Sequence, residues 1–444
     1  MTGADPFGLT ALADPLPIES LRAPLDATVR VPGSKSVTNR ALVCAALADG
    51  ISRLDGALFA DDTAAMLGVL AGLGVALRSD PSAGRIEVNG SGGALGPGSD
   101  RPTIDARQSG TTARFVLPLL TVVDRPVVVT GHSQLQARPM GPTFDALRSL
   151  GAVVDDREAP GRLPATIRGG HAAGREIEVP GDTSSQFLSG LLLVAPCLPD
   201  GLSIRVTTPL VSRPYVDLTV AVMEAFGAHV DVDGSGTQIE VGPTGYRAVD
   251  YAVEPDASAA SYPLAAAAIC GGRVRVEGLG TDAHQGDAGF ADLLAAMGAD
   301  VVRDADGTEV RADGRPAGGE FDLTHLSDTA QTLAVVAPFA DGPVRISGIG
   351  FIRGKETDRV HAVATELARC GIDVDEDDDG WTIRPGTAHP TTVRTYQDHR
   401  MAMSFALLGL RVPGIAIADP GCVAKTFPGY WAMLDELRAR GRDA

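Results

Sequence analysis

The feature that most constrains the fold is an internal repeat. Six times along the chain, apolar residues at helical spacing end in a glycine, and a short strand-like apolar run follows. The glycine supplies the left-handed turn that ends a helix. These glycines lie 70 to 77 residues apart, and they are Gly74, Gly151, Gly227, Gly298, Gly371 and Gly441. The spacing predicts six α/β units of similar length.

A second series of helices is predicted with the same period. Each helix of this series begins with polar residues and is apolar on nearly every face, so we expect these inner helices to be buried. The markers of their starts are Ser36, Ser109, Ser184, Ser258, Ser327 and Asp398. The helices that end in glycine carry charged residues on one side, which indicates outer helices. Six units exceed one core, so a division of three plus three is predicted, with its boundary near 250–256.

Composition restricts the possible ligands. The formal charge of −18 argues against nucleic acid or an anionic membrane as a partner, since both favour a basic surface. No apolar run has membrane-spanning length and the N-terminus does not read as a signal peptide, so a cytoplasmic location is predicted. The five scattered cysteines, without a Cys-x-x-Cys pair, predict reduced and mostly buried thiols and no metal site. No glycine-rich nucleotide loop is present.

Lysine is used at only three positions, Lys35, Lys355 and Lys425, against 35 arginines. A compact ammonium group can contact several oxygens at once, which favours small anions. Helix N-termini also attract anions, and five of the six inner helices begin with unusual polar or charged residues. Taken singly, each such residue is more often a plain N-cap. Together they predict a common anion site.

Six motifs occur in order between about residues 28 and 432: "PGSKSVTNRA", "SSQF", "VSRPY", "GKETDR", "DHRMAM" and "AKTFPGY". In these motifs the chain resembles the 5-enolpyruvylshikimate-3-phosphate synthase family. The resemblance implies an α/β (α+β) fold of two similar lobes, each of three βαβαββ units with buried inner helices. It also implies that residues 1–33 form a tail and a segment joining the second lobe. Residues 34–253 would form the first lobe, on the shikimate 3-phosphate side, and 254–444 the second lobe, on the phosphoenolpyruvate side.

The family transfers the enolpyruvyl group of phosphoenolpyruvate to the 5-hydroxyl of shikimate 3-phosphate through a tetrahedral intermediate that expels phosphate. The resemblance implies no metal and no organic cofactor, and we expect a monomer. It assigns to shikimate 3-phosphate the residues Lys35, Ser36, Arg40, Ser184, Ser185, Gln186, Ser212, Asp328 and Lys355. It assigns to phosphoenolpyruvate the residues Lys35, Gly110, Arg114, Arg138, Gln186, Arg359, Arg400 and Lys425.

The reaction needs one proton taken from the 5-hydroxyl and one delivered to the methylene carbon. Asp328 is the predicted base, because a carboxylate at a helix start among cations is ionised. Glu356 and Lys425 are the candidates for moving the other proton. Lys35 completes the predicted catalytic set, and His399 is expected to position its neighbours.

The chain departs from the family pattern at two places. Residues 108–115 read "QSGTTARF" where the family usually has Asn-Ala-Gly-Thr-Ala followed by Met-Arg-Pro. Gly110 is retained, but Ser109, Thr112 and Phe115 alter the packing behind it. Glyphosate occupies the phosphoenolpyruvate site in this family, and the sequence makes no prediction for or against sensitivity to it. Phe351 stands where many members have asparagine.

Two alternatives remain at the level of sequence. One is UDP-N-acetylglucosamine enolpyruvyl transferase, which shares the fold and the donor but carries a reactive cysteine five residues before an Arg-Pro pair. Here Ser133 occupies that place before Arg138 and Pro139. The other is a binding paralogue without catalysis, which would have no need of an intact set of Lys35, Asp328, Glu356, Arg400 and Lys425.

Overall fold

The structure, a computed structural model, describes residues 9–21, 23–96, 102–170 and 175–440. Gly441, the last of the predicted helix-ending glycines, therefore lies outside the described residues. The chain divides into two compact units. One consists of Gly33–Val253, and the other combines the segment up to Pro32 with the residues from Glu254 onward. Each unit has its own hydrophobic core.

The unit of Gly33–Val253 contains seven described helices and three four-stranded sheets. The helices are α1 (Lys35–Leu47), α2 (Asp61–Gly72), α3 (Gly110–Leu119), α4 (Ser133–Gln136), α5 (Gly141–Ser149), α6 (Ser185–Val194) and α7 (Pro214–Ala225). The three sheets are formed by strands Asp250–Ala252, Ile51–Asp55, Arg85–Asn89 and Ala76–Asp80; Thr103–Asp105, Val127–Thr130, Ala165–Arg168 and Val153–Asp155; and Glu176–Val179, Leu202–Val206, Gln238–Val241 and Val230–Val232. A two-stranded sheet pairs Ala48–Asp49 with Tyr246–Arg247.

The other unit contains six described helices, two four-stranded sheets and one three-stranded sheet. The helices are α8 (Ala257–Cys270), α9 (Phe290–Ala296), α10 (Ala330–Val336), α11 (Arg359–Arg369), α12 (His399–Gly409) and α13 (Tyr430–Arg440). The sheets are formed by strands Asp300–Asp304, Gly307–Ala312, Gly272–Glu277 and Leu25–Val29; Gly319–Asp322, Val344–Ser347, Trp381–Ile383 and Val374–Glu376; and Leu16–Pro17, Ala416–Ile417 and Thr392–Val393.

Every four-stranded sheet follows one pattern, with a parallel pair of strands extended by antiparallel neighbours. In the first repeat of each unit the outer parallel strand comes from a distant part of the chain. Asp250–Ala252 lies beside Ile51–Asp55, and Leu25–Val29 lies beside Gly272–Glu277. The first pairing joins the two ends of the unit of Gly33–Val253, and the second joins the N-terminal segment to the rest of the other unit. The predicted fold class, an α/β arrangement of βαβαββ repeats in two lobes, is confirmed.

The inner helices are α1, α3, α6, α8, α10 and α12, and they are buried as their apolar composition predicted. Three of the six markers, Ser36, Ser258 and Ser327, are not the residues that directly precede their helices, because a cap is chosen by which side chain reaches the first free amide. The cap of α1 is Ser34, which accepts from Val37 N at 3.3 Å, and that of α8 is Asp256. Asp328 lies in a 3₁₀ turn, Ser327–Thr329, directly before α10 begins.

The cysteine prediction is confirmed for pairing and burial. All five are unpaired, with Cys44, Cys270 and Cys370 buried and the other two half-buried. Burial raises the pKa of Cys270 to about 12, so its thiol stays protonated at neutral pH. Among the helices described, none is long and apolar enough to span a bilayer.

The five helix-ending glycines within the described residues all have φ between 84° and 95°, as predicted. At Gly298 an added Cβ would meet nothing within 4 Å, so only the backbone opposes a side chain there. We expect Gly298→Ala to lower the free energy of unfolding by about 1–2 kcal/mol, the cost of a left-handed alanine. The control is Gly314→Ala, where space is also open but φ is not positive.

Tryptophan fluorescence during urea unfolding reports on the unit that contains Gly298 and Gly314, because both tryptophans, Trp381 and Trp431, lie in that unit. Equal midpoints for Gly298→Ala and Gly314→Ala would show that the left-handed backbone carries no cost.

Candidate active site

In the unit of Gly33–Val253, Lys35 is the first residue of α1 and is nearly buried. Its Nζ lies 3.5 Å from Oδ2 of Asp62, in the first turn of α2. Sequence reasoning missed Asp62. Acidic residues in the first turn of an outer helix are ordinary partners of the helix dipole, so nothing in the sequence distinguished this one.

Arg40 lies inside the same unit with only 2% of its surface exposed. Its guanidinium donates to Thr219 Oγ1 at 2.8 Å and to the backbone oxygens of Ser36 and Tyr215 at 2.9 and 3.0 Å. A fourth bond, to Ser189 Oγ, measures 3.3 Å. Burial lowers the pKa of Arg40 to about 10. Four of its five N–H donors thus contact the protein itself, and the structure places Arg40 as a link between α1, α6 and α7.

Two guanidinium groups converge on the start of α3. A Cβ added at Gly110, the first residue of this helix, would lie 2.7 Å from Nη1 of Arg138 and 3.1 Å from Nη1 of Arg114. Gln186 accepts from Arg114 Nη1 at 2.7 Å and donates to Thr111 Oγ1 at 3.2 Å. Two cations beside a helix N-terminus form a strongly anion-attracting arrangement. The predicted grouping of these residues is therefore observed within this unit.

The departures from the family pattern have defined contacts here. The Ser109 hydroxyl caps α3 by accepting from Thr112 N at 3.2 Å, and the Thr112 hydroxyl donates to Ser109 Oγ at 2.9 Å. The two substitutions therefore support each other. The Phe115 ring lies 5.0 Å from the Arg40 guanidinium, which gives that buried cation an aromatic face.

Three of the four predicted serines lie at or just before the starts of α6 and α7, and Ser36 is the second residue of α1. Ser184 caps α6 by accepting from Gln186 N at 3.3 Å, and Ser185 is the first helical residue. Ser212 has a φ of 53°, a left-handed conformation that non-glycine residues rarely adopt outside functional sites and turns. All three serines are buried.

In the other unit, Arg359 is the centre of a buried charge cluster. It is the first residue of α11, with 2% of its side chain exposed. It donates to both carboxylate oxygens of Asp398, at 2.8 and 3.3 Å, to Glu356 Oε2 at 2.8 Å and to Asp328 Oδ1 at 3.3 Å. Burial alone would lower the pKa of Arg359, but the three carboxylates, Asp398 first, raise it above its usual value. Arg359 is therefore permanently charged.

Two further cations contact the carboxylates of this cluster. Arg400 donates from Nη2 to Asp328 Oδ2 at 2.7 Å. Lys425 Nζ lies 3.7 Å from Glu356 Oε1 and is buried at the end of a 3₁₀ turn, Pro420–Lys425. Three carboxylates thus face three cations. The structure brings together the predicted set of Asp328, Glu356, Arg359, Arg400 and Lys425.

Of the other predicted residues of this unit, His399 is the first residue of α12, and Lys355 follows the 3₁₀ turn Gly350–Gly354, four residues before α11. His399 is buried, with Nδ1 3.6 Å from Asp398 Oδ1. Lys355 Nζ lies 5.9 Å from the centre of the Phe351 ring, so the residue that replaces the family asparagine offers a cation–π contact. Asp398 caps α12 by accepting from Arg400 N at 2.9 Å.

Five four-stranded α/β repeats and a sixth with a three-stranded sheet, with cations and polar caps collected at the starts of the inner helices, define a class of α/β proteins whose helix starts are suited to small anions. The model of the EPSP synthase (3-phosphoshikimate 1-carboxyvinyltransferase) family matches residues 20–434. The chain belongs to this family. The resemblance carried by the six motifs is therefore confirmed.

Individual relatives agree with this assignment. A 3-phosphoshikimate 1-carboxyvinyltransferase from Nostoc sp. is 41% identical over 96% of this chain and 99% of its own length. One from Methanoculleus marisnigri is 42% identical over 94% and 97%. A structure of EPSP synthase from Acinetobacter baumannii has a TM-score of 0.80 at 26% identity and covers 95% of this chain and 97% of its own. The enolpyruvyl transferase NikO from Streptomyces tendae shares the fold, with a TM-score of 0.73 at 20% identity over 95% of this chain and 96% of its own.

The close approach at Gly110 yields a test of the anion site at α3. In Gly110→Ala the new Cβ must displace the guanidinium group of Arg138 and crowd that of Arg114. We expect the KM for phosphoenolpyruvate, the ligand that the resemblance assigns here, to rise about tenfold or more. The control is Gly141→Ala at the start of α5, where nothing lies within 4 Å of the added Cβ. Equal KM values for the two variants would contradict the placement.

Proposed function

We propose that this chain is an enzyme that transfers the enolpyruvyl group of phosphoenolpyruvate to the 5-hydroxyl of shikimate 3-phosphate. The products are 5-enolpyruvylshikimate 3-phosphate and phosphate, in the shikimate pathway of aromatic amino acid biosynthesis. The observation that carries this proposal is membership of the EPSP synthase family over residues 20–434, with 41–42% identity to curated relatives. The alternative reaction, with UDP-N-acetylglucosamine as the acceptor, has less support. The position of its cysteine is occupied by the exposed Ser133.

Each substrate carries a carboxylate and a phosphate, which the two residue groups would hold. In the unit of Gly33–Val253 we assign Ser36, Arg40, Ser184, Ser185, Gln186 and Ser212 to shikimate 3-phosphate. Gly110, Arg114 and Arg138 would hold phosphoenolpyruvate, with Lys35 and Gln186 serving both. In the other unit, Asp328 and Lys355 would contact shikimate 3-phosphate, and Arg359, Arg400 and Lys425 would contact phosphoenolpyruvate. Most N–H donors of Arg40 already have protein partners. Arg40 would therefore support the binding of shikimate 3-phosphate mainly by holding α1 in place.

Asp328 is suited to the role of the base. Its two oxygens accept from Arg359 and Arg400, at 3.3 and 2.7 Å, and two guanidinium groups favour the ionised carboxylate. In the addition step it would take the proton of the 5-hydroxyl while the hydroxyl oxygen bonds to C2 of phosphoenolpyruvate. The methylene carbon of phosphoenolpyruvate becomes a methyl group in the same step. That change needs a second proton.

Lys425 and Glu356 are the proposed pair for this second proton. Their charged atoms lie 3.7 Å apart, and Glu356 is also anchored by Arg359 at 2.8 Å. The ammonium would give a proton to the methylene carbon in the addition step. In the elimination step the methyl group returns a proton to Lys425 as the bond to phosphate breaks and the enol ether forms, and the proton taken by Asp328 is released with the phosphate. His399 would hold Asp398, and thereby Arg359, in place. A monomeric state and a cytoplasmic location stay predictions.

The direct test is phosphate release by the purified chain. We expect release with shikimate 3-phosphate plus phosphoenolpyruvate, and none with either substrate alone or with UDP-N-acetylglucosamine plus phosphoenolpyruvate. Release with the UDP-sugar only would support the alternative enzyme. Binding of both substrates without any release would support the paralogue without catalysis.

The role of Asp328 gives a sharper prediction. Asp328→Asn retains an oxygen for Arg400 but removes the base, so turnover should fall by at least about 100-fold while both substrates still bind. Asp328→Ala should lose at least as much turnover. The control is Asp378→Ala, at an exposed carboxylate outside the cluster. Turnover of Asp328→Asn within about threefold of the unaltered protein would remove Asp328 from this role.

A further inference from the structure

The segment that leads into α12 contains two consecutive left-handed residues that are not glycine. Tyr396 has a φ of 55° and Gln397 a φ of 56°, directly before Asp398. Side chains disfavour this conformation, so it persists only where surrounding contacts hold it. The turn closes with a bond from Asp398 N to Thr395 O at 2.8 Å. The contacts that hold it therefore decide where Asp398 and the following Arg400 lie.

One buried carboxylate makes those contacts. Glu366, on α11, has 0% of its side chain exposed. Its Oε1 accepts from the Tyr396 hydroxyl at 2.8 Å, and its Oε2 accepts from Arg394 N at 3.0 Å. Arg369 also donates to Oε2, which supplies the counter-charge that a buried carboxylate requires. Glu366 thus binds the chain just before the left-handed turn and the first residue of that turn.

A single face of α11 reaches both ends of this segment. Arg359 and Glu366 are seven residues apart, which is two helical turns, so they project from the same side of the helix. Arg359 binds both carboxylate oxygens of Asp398, while Glu366 binds the backbone of Arg394 and the hydroxyl of Tyr396. Two side chains of α11 with opposite charges, Arg359 and Glu366, therefore hold the two ends of this segment.

We propose that Glu366 and Tyr396 are positioning residues, which hold the left-handed turn so that Asp398 stays on Arg359 and Arg400 is aimed at phosphoenolpyruvate. This inference rests on the proposed function. Neither residue is assigned a substrate contact, and both act through the turn. Burial, together with the hydrogen bond to Glu366, raises the pKa of Tyr396 to about 12, so its hydroxyl remains a donor throughout the neutral range.

The test compares Tyr396→Phe, which removes one hydroxyl, with Thr391→Val. Thr391 bonds to Arg369 O at 3.3 Å, at the end of the same helix, but does not touch the left-handed turn. We expect Tyr396→Phe to raise the KM for phosphoenolpyruvate about tenfold and to lower kcat, because a displaced Arg400 misaligns this substrate. The KM for shikimate 3-phosphate should stay within about twofold, since Arg400 is assigned to phosphoenolpyruvate alone. Thr391→Val should leave both KM values unchanged.

A rescue variant separates positioning from general loss of stability. Glycine adopts the left-handed conformation without a steric penalty, so Gln397→Gly in the Tyr396→Phe background should restore part of the lost kcat/KM. Amide hydrogen exchange of residues 394–402 supplies a readout that does not depend on activity. It should rise in Tyr396→Phe and in Glu366→Gln but not in Thr391→Val.

The outcomes distinguish this inference from the proposed function. If the unaltered protein releases no phosphate, the proposed function fails, and hydrogen exchange alone decides whether Glu366 and Tyr396 hold the turn. If phosphate is released but Tyr396→Phe changes neither the KM for phosphoenolpyruvate nor the exchange of 394–402, the inference is overturned. A lower unfolding midpoint with an unchanged KM overturns it as well, because the role is then only structural.

Discussion

The interaction on which the candidate site depends is the burial of the Arg359 guanidinium among three carboxylates. Removing an arginine from water costs several kcal/mol unless its donors find well-placed acceptors. Asp398 supplies two of these acceptors, and Glu356 and Asp328 supply one each. Because these three acids come from three separate segments, satisfying one cation fixes the starts of α11 and α12 and the turn before α10. The charge of Arg359 thus organises the side chains around it.

The proposed anion sites are built in the same way in both units. Inner helices that are apolar on every face can only be buried, and their starts then carry the polar residues. In one unit Arg114 and Arg138 converge on the first residue of α3, and in the other Arg400 and Lys425 face the carboxylates around Arg359. Helix N-termini, cations and hydroxyls are the groups that recognise phosphates and carboxylates. A reaction between two doubly acidic substrates, limited by positioning and proton transfer, is consistent with such a residue set.

Much of this could be predicted from the sequence because the signals are local. The repeat, the inner helices and the helix-ending glycines follow from periodicity and turn chemistry within a few residues of chain. The partners that lie far apart in sequence were not predicted. Asp62 matters through Lys35, and Glu366 through Tyr396, thirty positions away. Within each unit several motif residues lie together, yet the engagement of Arg40 by Thr219 and Ser189 arises only from packing of helices distant in the chain.

The measurement closest to the central claim is the stability of Asp398→Asn, compared with Asp375→Asn. Asparagine still caps a helix, so the first change removes mainly the charge beside Arg359, whereas Asp375 pairs with Arg384 on the surface. Urea unfolding followed by tryptophan fluorescence should show a loss of about 3 kcal/mol or more for Asp398→Asn, as expected for a broken buried ion pair. Asp375→Asn should lose less than about 1 kcal/mol, as exposed pairs do. Equal and small losses would show that Arg359 does not depend on Asp398, and would contradict this account.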